Sequence, residues 1–114
     1  NPSYINSTAE TIYHSSNIVL LDDTGSIDGY ISYQITSAHS QYHCVYWIEE
    51  KGETIFFGGD DAPQHQQMKS KFVAKYDFDG KKAMELRTEW WKKGALGRWT
   101  FLFYHDIKSP FVKR

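Results

Sequence analysis

Apolar and polar residues alternate with a period of two over long stretches of this chain, the pattern of half-buried β-strands. Ile27, Ile31, Tyr33 and Ile35 alternate with Asp28, Tyr30, Ser32 and Gln34. A four-residue loop, Ser37 to Ser40, then pairs Ile35 with Tyr42, Tyr33 with Cys44 and Ile31 with Tyr46, so apolar meets apolar throughout. The next hairpin turns at Lys51-Gly52. A two-residue loop there pairs Ile48 with Ile55 and Tyr46 with Phe57, and a three-residue loop with a glycine bulge slips this by one.

The second half carries the same alternation. Phe72, Ala74, Tyr76 and Phe78 alternate with Lys71, Val73, Lys75 and Asp77. Met84, Leu86, Thr88 and Trp90 alternate with Glu85, Arg87, Glu89 and Trp91. A loop at Phe78-Asp79-Gly80 with a left-handed glycine keeps the faces matched, and Lys93 to Leu96 turns into a last strand from about Gly97 to Asp106. Near the start, Ser7-Thr8-Ala9-Glu10 has the form of a capping box and opens a short helix through about His14. Ile18 to Leu21 is a brief apolar run fit for a buried strand.

The fold class predicted is mainly β: two antiparallel meanders forming a small β-sandwich or barrel, with one short N-terminal helix. The length of 114 residues suits one domain. It divides into an acidic meander over 17–58, a crossover over 59–70 and a basic meander over 71–107.

Charge sharpens that division. Residues 1–61 hold nine acids and one base, Lys51, a net of −8; residues 62–114 hold twelve bases and five acids, a net of +7. Such asymmetry points to an interaction surface. Four Trp, eight Tyr and seven Phe favour strands and large contact areas. The single Cys44 excludes an internal disulfide. No apolar run approaches the roughly 18 residues of a membrane span. The chain does not begin with Met and reads as a trimmed or processed piece. That leaves the compartment undetermined and a secreted or membrane-anchored ectodomain open. Asn6-Ser7-Thr8 matches the glycosylation triplet.

Candidate chemistry is sparse. Of the acidic pairs Asp22/Asp23, Glu49/Glu50 and Asp60/Asp61, the last follows two glycines and is the best hard-cation loop, though a solvated loop is the plainer reading. His39 and His43 lie four apart, which brings side chains together on a helix but not across a turn and strand. His105 falls in line with Trp99, Phe101 and Phe103 and reads as a satisfied core or rim histidine. Cys44 reads as an inert thiol. No catalytic residue, metal ligand or cofactor is assigned, and the sequence leans away from an enzyme without deciding the matter.

Two surfaces remain. Trp47 and Phe56 pair on the presumed solvent face of the first sheet. Lys71, Lys75, Arg98 and Trp91 share the outward face of the second, with Arg98 opposite Trp91 for a cation–π contact. The leading expectation is a non-catalytic binding module acting through these six residues, with another protein as partner. Self-association through opposite charges is the other protein contact considered. The alternatives are a carrier of small apolar ligands in a β-barrel, and a binder of anionic ligands such as nucleic acid, acidic glycan or lipid head group.

Overall fold

A computed structural model describes residues 6–114. It corrects the fold expectation. There are not two meanders closed as a sandwich or barrel, but one open six-stranded mixed sheet with two helices. The strands are β1 (Thr24–Ile27), β2 (Ile31–Ile35), β3 (Cys44–Glu50), β4 (Glu53–Phe57), β5 (Thr100–Leu102) and β6 (Phe111–Lys113). They lie side by side in chain order. The helices are α1 (Asn6–Tyr13) and α2 (Gly80–Gly97). Among the described residues no helix is long and apolar enough to cross a membrane.

All neighbouring strands are antiparallel except β4 and β5, which run parallel. A parallel pair needs a long crossover, and residues 58–99 supply it, including α2 and two 3-10 turns at Gly59–Asp61 and His65–Lys69. This crossover replaces the predicted second meander. The stretch 71–78 forms no ladder, and Phe72, Val73, Tyr76 and Phe78 are exposed. Residues 84–96, predicted as a strand and a turn, are helical. Their side chains also satisfy the helical period, because Ala83, Arg87, Trp90 and Gly94 form the buried stripe of α2. Asp79, assigned to a hairpin turn, is instead the N-cap and accepts the Lys82 N–H at 3.1 Å. Arg98 closes the helix in the left-handed conformation, φ 54°, with its N–H on the Gly94 carbonyl.

The β3–β4 hairpin has the Ile48–Ile55 and Tyr46–Phe57 pairs of a two-residue loop. Lys51 and Gly52 both take positive φ, 51° and 78°, as a type I′ turn requires. The β2–β3 hairpin departs from expectation by two residues: Ile35 faces Cys44 and Tyr33 faces Tyr46. A shift of two preserves which face each side chain occupies, but it lengthens the loop to Thr36–His43. Asp28-Gly29, inside what looked like one strand, turns β1 into β2.

The core lies on the face of Val45, Trp47 and Phe56, the side assigned to solvent from sequence. Helix α2 covers it: the Phe56 ring sits 4.8 Å from Trp90 and 5.5 Å from Phe101, and Val45, Phe56, Phe101 and Phe103 are fully buried. The opposite face, with Ile31, Tyr46, Ile48, Phe57 and Leu102, lines an open apolar groove.

Close approach of α2 to the sheet depends on Gly94. A Cβ there would meet the edge of the Phe101 ring well inside van der Waals contact. Overpacking costs about 1–3 kcal/mol, against about 1 kcal/mol gained by Ala over Gly in a helix. Gly94→Ala therefore lowers the urea unfolding midpoint. A raised midpoint would show that Phe101 yields without cost.

Candidate functional site

Three loops meet at one end of the sheet. β4 and β5 run parallel, so the segments leaving them emerge together, and the β2–β3 loop joins them because β2 ends and β3 begins at that edge. In open α/β sheets this carboxyl end of the strands is where ligands bind. The β2–β3 loop brings His39 and His43, the turn after β4 brings Asp60 and Asp61, and the β5–β6 loop brings Tyr104, His105 and Asp106.

Asp61 is fully buried. Its carboxylate accepts the Thr36 hydroxyl at 2.5 Å and the His39 N–H at 2.8 Å. His43 Nδ1 approaches it at 3.3 Å, an electrostatic contact short of hydrogen-bond alignment. His43 Nε2 accepts the Asp60 N–H at 3.0 Å, so the ring proton sits on Nδ1, facing Asp61. Burial alone would raise the Asp61 pKa, but the contacts to His43 and Thr36 and the His39 N–H outweigh it, and the net shift is downward. Gly59, at φ 54°, is forced by the same packing, since a Cβ would come within 2.9 Å of His43 Nε2.

Around this buried group stands a more open one. Asp60 turns Oδ2 towards His39 Nε2 at 3.7 Å and Oδ1 towards His105 Nε2 at 3.5 Å. The Tyr104 hydroxyl donates to Asp60 Oδ1, and its ring lies 4.0 Å from that of His105. His39 Nδ1 lies 2.8 Å from Asp77 Oδ1. A cavity of about 360 Å³ opens beside them, walled by Pro63, Gln67, Phe72 and Arg87 among others. Among the described residues no three His, Cys, Asp or Glu side chains are drawn together closely enough to hold a metal ion. The arrangement is two imidazole–carboxylate pairs that share Asp60.

The supporting charges come from the crossover. Arg87, 2% exposed on α2, donates from Nη1 to the Asp61 carbonyl at 2.7 Å and from Nη2 to the Phe72 carbonyl. Burial pulls its pKa down, and Asp77 and Asp61 oppose this. Asp106 accepts the N–H groups of His65, Ser109 and Lys108, which hold its carboxyl below the ordinary value and fix the loop after His105. His65, stacked on Phe103 at 5.8 Å, is shifted downward by burial and by Lys69 and Arg114, against Asp106.

The six residues selected from sequence lie elsewhere. Phe56 is in the core, 1% exposed, and Trp47 packs on it at 5.2 Å and near Trp99 at 6.2 Å. Trp91 is on α2 against Phe101 at 5.0 Å. The cation over its ring is Arg114, at 3.9 Å, rather than Arg98, which caps the helix. Lys71 and Lys75 are exposed on the irregular strap before α2. From sequence Asp60 belongs to a candidate hard-cation loop, while His39, Asp77, Arg87 and His105 carry no site role. The signal for three of them was placement, since His39, Asp60 and His105 each follow closely on the end of a strand in chain order.

No protein-family model matches the chain, and no curated protein matches it. Solved structures do. A probable metal-dependent hydrolase from Staphylococcus aureus superposes with a TM-score of 0.77 at 24% identity, over 83% of this chain and 34% of that one. Hydrolase AbOPH of the beta lactamase superfamily gives 0.65 at 28% identity, over 78% and 31%. An N-acyl homoserine lactone hydrolase, solved with its product at the catalytic metal center, gives 0.65 at 14% identity, over 87% and 44%. This is part of the metallo-β-lactamase fold. The chain spans about a third of the length of the first two neighbours.

These neighbours are metal-dependent hydrolases and lactonases, and they overturn the expectation of a non-catalytic binding module. The apolar carrier and the anion binder fall with it, since the open sheet closes no barrel and the basic meander does not form.

The depressed Asp61 pKa sets a pH dependence. A carboxyl whose folded pKa lies below its unfolded value, about 3.9, contributes stability that is present above that value and lost as pH falls through the folded one. Asp61→Asn is expected to lower the urea midpoint at pH 7 and to flatten its decline below about pH 4. An acid decline as steep as in the unaltered protein would remove Asp61 as its source.

Proposed function

We propose that this chain carries part of the metal centre of a hydrolase acting on an ester or lactone bond, with His39, Asp60 and His105 as its ligands. The observation that carries this reading is the division of one carboxylate between two imidazoles. Asp60 offers one oxygen to His39 Nε2 and the other to His105 Nε2. A carboxylate presented in that way would serve as a ligand beside either imidazole.

The donor set fits. Two ligands at 2.0–2.1 Å from a tetrahedral zinc stand about 3.3–3.4 Å from each other, and the two nitrogen–oxygen separations here are 3.7 and 3.5 Å. Only a few tenths of an ångström of closure is needed. Imidazole with carboxylate suits zinc, iron or nickel. Cys44 does not join the set, since its thiol is directed at the Val45 carbonyl at 3.7 Å. Three donors do not complete two metal sites, in keeping with a chain that spans about a third of the hydrolases it resembles.

His39, Asp60 and His105 would hold the metal, which would supply Lewis-acid chemistry for hydrolysis. The chain's own residues set the frame for that chemistry. Tyr104 holds the Asp60 carboxylate through its hydroxyl. His43 holds the Asp60 backbone. The neighbouring cavity, walled by Phe72 and Pro63, offers an apolar seat for a substrate beside the ligands.

The test is metal content and hydrolysis in the intact protein. Zinc is expected to co-purify and to support cleavage of a lactone. His39→Ala and His105→Ala are expected to lose metal and to reduce kcat/KM by more than about 100-fold, beyond what loss of an outer-shell partner costs. A protein that binds no divalent metal, or keeps its activity when both histidines are replaced, would sink the proposal.

A further inference from the structure

We infer that Asp77 is a positioning residue that fixes the tautomer of His39 and so presents the Nε2 lone pair to the metal. This rests on the ligand role proposed for His39, but its first test does not.

A carboxylate only accepts hydrogen bonds. Asp77 Oδ1 lies 2.8 Å from His39 Nδ1, so that nitrogen carries the proton. In a neutral imidazole the other nitrogen is then a bare acceptor. That acceptor, Nε2, faces Asp60 Oδ2 at 3.7 Å, again an acceptor. Two acceptors turned towards each other leave a place for a cation between them. With the opposite tautomer Nε2–H would point at Asp60, and the ring could not serve as a ligand through that nitrogen. Asp77 excludes this state, because an unprotonated Nδ1 would face its carboxylate.

Asp77 is itself held firmly. Its side chain is 3% exposed, and Oδ2 accepts the Ala74 N–H at 3.1 Å. The strap on which it sits is bound to the His39 loop by two backbone bonds, Phe78 N–H to the His39 carbonyl at 2.9 Å and Asp79 N–H to the Ala38 carbonyl at 2.7 Å. Asp79 then caps α2. The ring is thus oriented from the N-terminus of α2, while the His39 N–H is held from the β4 side by Asp61. Arg87 holds the strap upstream at the Phe72 carbonyl. The irregular strap, which contributes nothing to the sheet, has a purpose in this geometry.

The experiment uses the intact, metal-free protein above the pH at which imidazoles are charged. Long-range nitrogen–proton NMR, with His39 assigned by its loss in His39→Gln, is expected to show the Nδ1–H form. An Nε2–H form in the unaltered protein overturns the inference whatever any variant does. Asp77→Asn, which keeps the shape of the side chain, is then expected to mix the two tautomers. It should also weaken zinc affinity, measured by chelator competition, by about 10–100-fold, while the metal-free urea midpoint moves far less. Unaltered tautomer and affinity in a folded Asp77→Asn would overturn it. If the unaltered protein shows Nδ1–H but binds no zinc, the ligand role of His39 fails while the tautomer assignment stands.

Discussion

The buried carboxylate of Asp61 is the constraint around which the rest of the site is arranged. A charge fully removed from water costs several kcal/mol unless it is compensated, and charged hydrogen bonds return about 1.5–3 kcal/mol each. Asp61 draws on three groups, and each belongs to a segment that the site needs in place. Thr36 follows β2 and begins the long loop. The His39 N–H fixes the backbone of a proposed ligand. His43, whose proton faces Asp61, uses its other nitrogen to grip the Asp60 backbone. Satisfying one buried charge therefore sets the positions of two side chains that face outward.

The same logic explains Arg87. A guanidinium on the buried stripe of a helix is costly in isolation. Here its Nη1 and Nη2 donors go to the carbonyls of Asp61 and Phe72, and the carboxylates of Asp77 and Asp61 oppose the effect of burial on it. Helix α2 thus performs two tasks with alternate residues of one stripe. Trp90 and Gly94 close the core over Phe56 and Phe101, and Arg87 ties the crossover to the turn that presents Asp60.

What the sequence revealed followed the physics of short-range structure. The β3–β4 hairpin was legible because Lys51-Gly52 states its own turn type and the flanking residues alternate cleanly. The β2–β3 loop was not, because its length answers to Asp61, a residue beyond the next hairpin. A shift of two left the alternation intact and so gave no warning. Helix α2 was missed because residues 84–91 satisfy a period of two as well as the helical one. Two of its four buried positions are an arginine and a glycine, which a count of apolar residues does not register. Without the helix the face assignment inverts, and alternation alone puts Trp47 and Phe56 on a surface that α2 in fact covers.

The histidines were judged against local spacing, where His39 and His43 fail as a zinc pair. In the fold the two rings face different carboxylates. His43 faces inward to Asp61 and serves the backbone, and His39 faces Asp60. Side chains carried beyond the ends of different strands have no characteristic spacing, since the intervening length is set by the strands and the crossover. What brings Asp60 and His105 side by side is the parallel pairing of β4 with β5, which pairs Phe57 with Leu102 and sends both following segments out at the same edge. That pairing depends in turn on α2 crossing the sheet closely enough to return the chain, which Gly94 permits. The chemistry at the rim and the packing at the centre are therefore one structural problem, and a residue with no side chain takes part in solving both.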